Sequence, residues 1–408
     1  MASEVIGLTG AFGGGCSTAA RHLRDQRAFT VLRLSDEIKR RWKLSNSGEP
    51  SRSELQRLGD SLREAEGLGV LVDASLNQLS GIPERIVIDG IRNPGEIERL
   101  RDLFGYHFWL VAIIASAEDR WGRLRSEQYL EKGLTQRDFV ADDLRDQGEE
   151  GVPHGQQVAR CIDKADILVS NGSDVTLPEY KNKVLGYVDL TLSREPRNAT
   201  PREIFMNMAY SAAASSKCMS RSVGAVVVDS SETVAGVGYN ENPPPTKPCV
   251  EEEKYESHCY RDIVRNAHFE KLAEAGAKCP RCGEALEFIP GPPWYCGACK
   301  KREEKTNLEG YFFPDRAMSW CTAIHAEVAA LFAAGRRARG GRLFVTTCPC
   351  FQCAEKITLA GITEVCFTEA YPDNKAQTRL DLAGVKLVQF DGVRSASFER
   401  IFAARRPR

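Results

Sequence analysis

The sequence has no long hydrophobic run. Its longest apolar stretch, Phe108 to Ala115, falls far short of the ~20 residues that cross a bilayer, so no membrane-spanning helix is expected. Nor is there an excess of one charge: 55 Lys and Arg stand against 56 Asp and Glu, a formal charge of -1. Proteins that grip nucleic acid by neutralising phosphates carry a basic excess, which leaves only a local patch for such a role. Aromatics are an ordinary 8% and do not favour a stacking groove for single strands. The start, MASEVIGLTG, lacks the basic and apolar regions of a secretory signal, and a cytoplasmic location is expected. In that reducing compartment the 14 cysteines point to metal rather than disulfides. Internal repeats and low-complexity tracts are absent as well.

What is present is the composition of a folded protein, 42% hydrophobic and 27% charged. At 408 residues, two or three domains are expected. Residues 1–190 alternate strands and helices. Val5 to Leu8 runs into a glycine-rich turn and a helix from about Ser17. Arg85 to Asp89 and Phe108 to Ile114 are continuous apolar runs, as strands buried on both faces require. Ile167 to Ser170 ends at the turn signal Asn171-Gly172. Charged helical stretches, such as Pro94 to Phe104 and Ala117 to Tyr129, lie between. The pattern predicts a parallel α/β sheet. The polar segment SREPRNATPRE, with two prolines, predicts a boundary around 185–200.

A second α/β unit is expected over 200–408. It begins with a helix at Pro201–Ser216 and strands at Val223–Val228 and Val234–Gly238. An irregular insertion over 245–315 follows. A helix from near Ala323, a strand at Arg342–Thr346, a cysteine turn with a helix, a strand at Glu364–Thr368 and a short terminal strand plus helix complete it.

His325-Ala326-Glu327 and Pro349-Cys350-Phe351-Gln352-Cys353 together read H-x-E…P-C-x-x-C, the signature of zinc-dependent nucleobase deaminases. Attack at C4 of cytosine needs hydroxide at neutral pH, and zinc supplies it by lowering the pKa of bound water to ~7. Three ligands, His325, Cys350 and Cys353, leave the fourth tetrahedral position for that water. Glu327 is not a ligand; it is placed to take the water's proton and deliver it to the ring nitrogen and the leaving amine. Cys348 competes as a ligand, but the Pro-Cys-x-x-Cys spacing selects Cys350 and Cys353 and leaves Cys348 as a small buried residue. The alternative is a capped helix with an incidental HAE and a structural cysteine pair.

Cys279, Cys282, Cys296 and Cys299 form two Cys-x-x-Cys knuckles inside the insertion. Four thiolates close a tetrahedral zinc site with no open position, a staple for a segment with little apolar material of its own. A docking ribbon for RNA or protein is the other reading. Cys249, His258 and Cys259 lie upstream in the same insertion and leave a further structural site open.

Near the start, Gly10-Ala-Phe-Gly13-Gly14-Gly15-Cys16-Ser17-Thr18 follows a strand and opens a helix, the context of a phosphate-binding loop. Cys16 occupies the lysine position of G-x-x-x-x-G-K-[ST]. Backbone N–H groups and Ser17 can still hold phosphates and Mg²⁺, but the missing ammonium removes charge that stabilises phosphoryl transfer. Asp89-Gly90-Ile91-Arg92-Asn93-Pro94 resembles the corresponding segment of deoxynucleotide and dephospho-coenzyme A kinases. Arg120, Arg123 and Arg125 fall where such kinases carry lid arginines, or form a solvated helix face.

Residues 201–400 resemble the deoxycytidylate deaminase family, of cytidine deaminase-like fold, through Val223-Gly-Ala-Val-Val-Val228, Gly236-Val-Gly-Tyr-Asn240 and the zinc signature. The resemblance implies that Asn240 hydrogen-bonds the deoxyribose; a plain turn is the alternative. Tyr371 either packs near substrate or is a core or rim aromatic. The two halves together, with cysteine in the phosphate loop, resemble the bacterial anti-phage dCTP deaminases. That resemblance implies conversion of dCTP and dCMP to deoxyuridine nucleotides, depletion of a DNA precursor during infection, and a homo-oligomer. It also implies activity held off beforehand, in some members by a small RNA. The competing readings are a deoxycytidylate deaminase of pyrimidine metabolism with a nucleotide effector at the N-terminal domain, a polynucleotide cytosine deaminase, a nucleotide-binding switch, and an active kinase, which Cys16 disfavours.

Overall fold

The computed structural model describes residues 3–125, 135–148, 152–193, 197–255, 258–264, 267, 284, 294–296, 301–303, 321–368 and 374–403. The chain divides into two compact units. One comprises Met1–Asn207, Cys366–Gln377 and Leu387–Arg408; the other comprises Met208–Val365 and Thr378–Lys386. The first break falls close to the expected boundary, whereas the C-terminal tail, expected with residues 200–408, groups with the first unit.

In the first unit, β1 (Glu4–Thr9), β2 (Thr30–Arg33), β3 (Arg85–Ile91), β4 (Phe108–Ile114) and β5 (Ile167–Ser170) are parallel, in the order β5-β4-β1-β3-β2. All seven residues of β4 are buried, which accounts for its uninterrupted apolar sequence. The helices are α1 (Cys16–Arg27), α2 (Leu34–Ser45), α3 (Arg52–Glu66), α4 (Val70–Leu76), α5 (Pro94–Phe104), α6 (Ala117–Leu124), α7 (Gln136–Gln147), α8 (Val158–Asp163) and α9 (Leu177–Thr191). Ile6, Leu8, Leu23, Val111, Ile113 and Val184 belong to one core cluster, each such side chain stabilising the fold by about 1.5–3 kcal/mol. α6 is described to Leu124, and residues 126–134, into which the helix expected to Tyr129 would run, lie outside the described ones.

The tail adds a strand to this sheet, which sequence reading placed elsewhere. Gly392–Val393 pairs antiparallel with β5. Glu203 accepts from the Val393 amide at 3.0 Å and pairs with Arg197 at 2.7 Å. Arg394 then donates to the Ile162 and Asp163 carbonyls at 2.7 Å, satisfying the open end of α8.

The second sheet contains β6 (Gly224–Val228) and β7 (Val234–Tyr239), with β10 (Arg342–Val345), β11 (Glu364–Phe367) and β12 (Lys386–Gln389), in the order β12-β11-β10-β6-β7. β6 is antiparallel to both neighbours. Within the insertion, β8 (Trp294–Cys296) pairs antiparallel with β9 (Lys301–Glu303).

The helix that follows α10 (Pro201–Ala213) among the elements used below is α11 (Ala326–Ala334), and α12 (Phe351–Ala360) comes after it. α11 presents Ala326, Ala330 and Ala334 on one buried stripe, spaced four residues apart as one helix face demands. β7 meets it with glycines. A Cβ on Gly238 would stand 2.4 Å from the Ala330 nitrogen and 2.6 Å from the Ala326 oxygen, and one on Gly236 would stand 2.3 Å from the Ala330 oxygen. Helix backbone thus rests directly on strand backbone. Gly238→Ala is expected to destabilise the protein by on the order of 1–3 kcal/mol through overpacking, read as a lowered denaturant midpoint, with activity falling because the start of α11 shifts.

Candidate active site

The two packed helices bring their first turns together. His325 is the N-cap of α11 and Cys350 the N-cap of α12, both in extended backbone conformation, and Cys353 lies in the first turn of α12. His325 Nδ1 stands 3.2 Å from Cys353 Sγ and 3.5 Å from Cys350 Sγ. All three ligand atoms lie within 4.8 Å of one another, the one such group of His, Cys, Asp and Glu side chains among the described residues. One imidazole and two thiols at this spacing suit a tetrahedral zinc with one position open. Helix N-termini favour the thiolate form, and the hydrogen bond from Cys353 holds the Cys350 thiol down at about 4. Cys348 is buried at the end of β10, outside the group.

Glu327 lies in the first turn of α11 and is 3% exposed. Burial raises its pKa, opposed by the positive charge of His325. A buried carboxyl beside the three donors, its affinity for a proton raised, is suited to carry protons. The α11–β7 contact fixes its position, since Ala326 and Ala330 flank it on the buried stripe.

Asn240 follows β7 and is nearly buried. Its Oδ1 accepts from the Val223 amide and its Nδ2 donates to the Arg221 carbonyl, both at 2.8 Å. The side chain therefore ties the approach to β6 against the end of β7, leaving one Nδ2 hydrogen and one Oδ1 lone pair for other partners. Tyr371, Cys279, Cys282 and Cys299 lie outside the described residues, and of Cys296 only its place in β8 is described. Cys249, His258 and Cys259 are described and do not join the His325 group.

In the first unit the loop from Gly10 to Thr18 bends as its glycines require. Gly15 has φ +116°, and a Cβ there would stand 2.6 Å from the Asn171 amide nitrogen. Asn171 Nδ2 donates to the Gly14 carbonyl at 2.8 Å, and the Tyr180 hydroxyl donates to that of Gly15 at 2.9 Å. Ser17 donates to Asp89 at 2.7 Å. Cys16 packs against the core cluster; desolvation, reinforced by Asp89, pushes its thiol up to about 12, so it is neutral. Arg120 is neither a lid arginine nor part of a solvated face. It is fully buried, ion-paired with Asp143 at 2.5 Å, and donates to the Phe12 carbonyl at 3.1 Å. Arg123 lines the cavity beside the loop, as do Gln56 and Arg92. Gln56, on a helix with no motif of its own, escaped sequence reasoning.

Residues 199–369 match the family model "Cytidine and deoxycytidylate deaminase zinc-binding region". A UPF0200 protein of Methanopyrus kandleri is 30% identical over 193 residues, 47% of this chain and 91% of that protein. The N-terminal region belongs to the UPF0200 family, and the C-terminal region is deoxycytidylate deaminase-like. A deoxycytidylate deaminase of Schizosaccharomyces pombe is 28% identical over 391 residues, 94% of this chain and 97% of that one. Among solved structures, the dCMP deaminase of cyanophage S-TIM5 in complex with dCMP and dUMP is 20% identical with a TM-score of 0.28, covering 46% of this chain and 96% of that chain. The deaminase-like region thus carries a zinc-binding family signature on a three-donor cluster. No helix among the described residues is long and apolar enough to cross a membrane.

If the cluster holds the catalytic zinc, Cys350→Ser and Cys353→Ser each remove about one zinc per chain, measured by plasma mass spectrometry of the purified protein, while Cys348→Ser leaves the content unchanged.

Proposed function

We propose that the chain hydrolyses deoxycytidine nucleotides, dCTP and dCMP, to the deoxyuridine nucleotides and ammonia. The observation that carries this reading is a buried carboxyl, Glu327, on the same helical turn as one member of a His-Cys-Cys group. When bound by His325, Cys350 and Cys353, zinc supplies Lewis-acid activation of water at neutral pH. Glu327 takes one proton from the attacking water and hands it to N3 of the ring as the C4–O bond forms. It then carries the second proton to the amine as the C4–N bond breaks, so that water and cytosine become uracil and ammonia. Asn240, through its remaining amide hydrogen and lone pair, positions the deoxyribose.

The proposal extends to the rest of the chain. Gly10, Gly13, Gly14, Gly15, Cys16, Ser17 and Thr18 form the site of a nucleotide effector, and Ser17 with Asp89 offers the oxygen donors that Mg²⁺ prefers. Cys279, Cys282, Cys296 and Cys299 hold a second, structural zinc. The protein works in the cytoplasm as a homo-oligomer whose deamination of dCTP starves an infecting phage, held in check by a small inhibitory RNA. The metabolic alternative, dCMP deamination governed by the effector, draws on the similarity to a deoxycytidylate deaminase over 94% of the chain.

Ammonia release from dCTP, dCMP, cytidine and a cytosine oligonucleotide ranks these readings. Mononucleotide turnover is expected, falling by about 10²–10⁴-fold in Glu327→Gln with zinc retained. Turnover of the oligonucleotide alone would replace this reading with a polynucleotide deaminase.

A further inference from the structure

The N-terminal cavity, about 900 Å³, is at the upper end of small-molecule sites. The phosphate loop forms one side of it, and α2, α3 and the end of β3 contribute much of the rest. Charge is distributed unusually around it. Position 16, where a phosphate loop ordinarily offers an ammonium, holds a neutral thiol turned back toward the loop. A Cβ on Gly10 would stand 3.1 Å from its Sγ. The cations are elsewhere. Seven lining side chains are Arg or Lys, against one acid, Asp89.

Two guanidinium groups flank the loop where it enters α1. Arg92, held by Asp146 at 2.6 Å, acts on both Cys16 and Asp89. Arg123, on the other side, donates to the Asn171 carbonyl. Its Nη1 is buried without a hydrogen-bond partner. Both are thus positioned to face an anion seated on the helix N-terminus.

The part of the wall formed by α2, α3 and α4 also carries apolar side chains. Leu34, Ile38, Leu55 and Leu71 line it, a surface suited to a flat apolar ring. Gln56 stands among them, 4% exposed. Its Nε2 donates to Asp146 Oδ1 and Gln156 Oε1, both at 3.2 Å, while its Oε1 is buried and accepts nothing. A buried acceptor without a donor is costly, so the wall is built to receive an N–H or O–H from something that enters. An anion, an apolar ring and a hydrogen-bond donor held in one cavity describe a nucleoside phosphate.

We infer that the N-terminal region binds a nucleoside phosphate whose charge is met by Arg92 and Arg123 in place of the missing lysine, and whose base or sugar donates to Gln56. This rests on the reading of the loop as a nucleotide site and says what completes it. The site holds its ligand and does not transfer a phosphoryl group. Transfer is catalysed by cations that stabilise the charge developing on the group in flight; Arg92 is anchored to Asp146 and side chain 16 is uncharged.

Calorimetric titration of the full-length protein with ATP, GTP, dCTP and dTTP, each with Mg²⁺, tests this. Wild type, Arg92→Gln and Arg123→Gln are compared after their melting curves confirm folding. At least one nucleotide is expected to bind wild type. Arg123→Gln and Arg92→Gln should each weaken it by about tenfold or more. Wild type should release no nucleoside diphosphate. If Arg92→Gln does not fold, Arg123→Gln alone decides the matter. No binding by folded wild type overturns the reading of the loop and this inference with it. Binding that the arginine variants leave unchanged, or that wild type converts to turnover, overturns the inference alone.

Discussion

Helix α11 lies backbone to backbone on β7, and the chemistry of the C-terminal half depends on that contact. Alanines on the helix and two glycines on the strand leave only methyl groups between the two backbones. The approach buries Glu327 and sets His325 at the helix N-terminus, where α12 delivers Cys350 and Cys353. A larger side chain at the contact would lift the helix and move ligand and proton carrier together. Interiors are close-packed, so such a displacement is not absorbed locally. Small residues that look like composition in the sequence are therefore positional requirements.

The N-terminal half keeps the shape of a phosphate loop and alters its charge. Asn171 and Tyr180 hold the Gly14 and Gly15 carbonyls, and the buried Arg120–Asp143 pair steadies Phe12. These contacts pre-form the loop. Under the proposed nucleotide binding, a neutral thiol at position 16 and guanidinium groups lining the cavity hold the ligand without chemistry on it. The chain joins a UPF0200-type region to a deoxycytidylate deaminase-like region.

Much of this was legible beforehand, for identifiable reasons. β4 and β5 announce themselves because strands buried on both faces read as unbroken apolar runs. His325, Glu327, Cys350 and Cys353 stand at fixed short spacings that few other arrangements require. β2 was missed because its four residues, TVLR, are only half buried and so carry no run. The Gly392–Val393 strand was assigned to the wrong unit. Two residues hold no periodicity, and their partners, Ile167 and Leu168, are more than 200 residues away. Arg120 looked like a surface or lid residue because helical charge patterning cannot reveal Asp143 opposite it. The Gln56 acceptor is likewise a property of three-dimensional neighbours: Asp146 and Gln156 occupy its donor and leave the oxygen over.

His325, Glu327, Cys350 and Cys353 are proposed to add water at C4 of a cytosine nucleotide and release its amine as ammonia. Deamination of dCMP in H₂¹⁸O, with mass analysis of the nucleotide product, tests it most directly. The account predicts a deoxyuridine nucleotide carrying one ¹⁸O on the base, formed together with ammonia. Product without label on the base, or no deaminated product from zinc-replete protein supplied with the nucleotides that bind its N-terminal cavity, would contradict it.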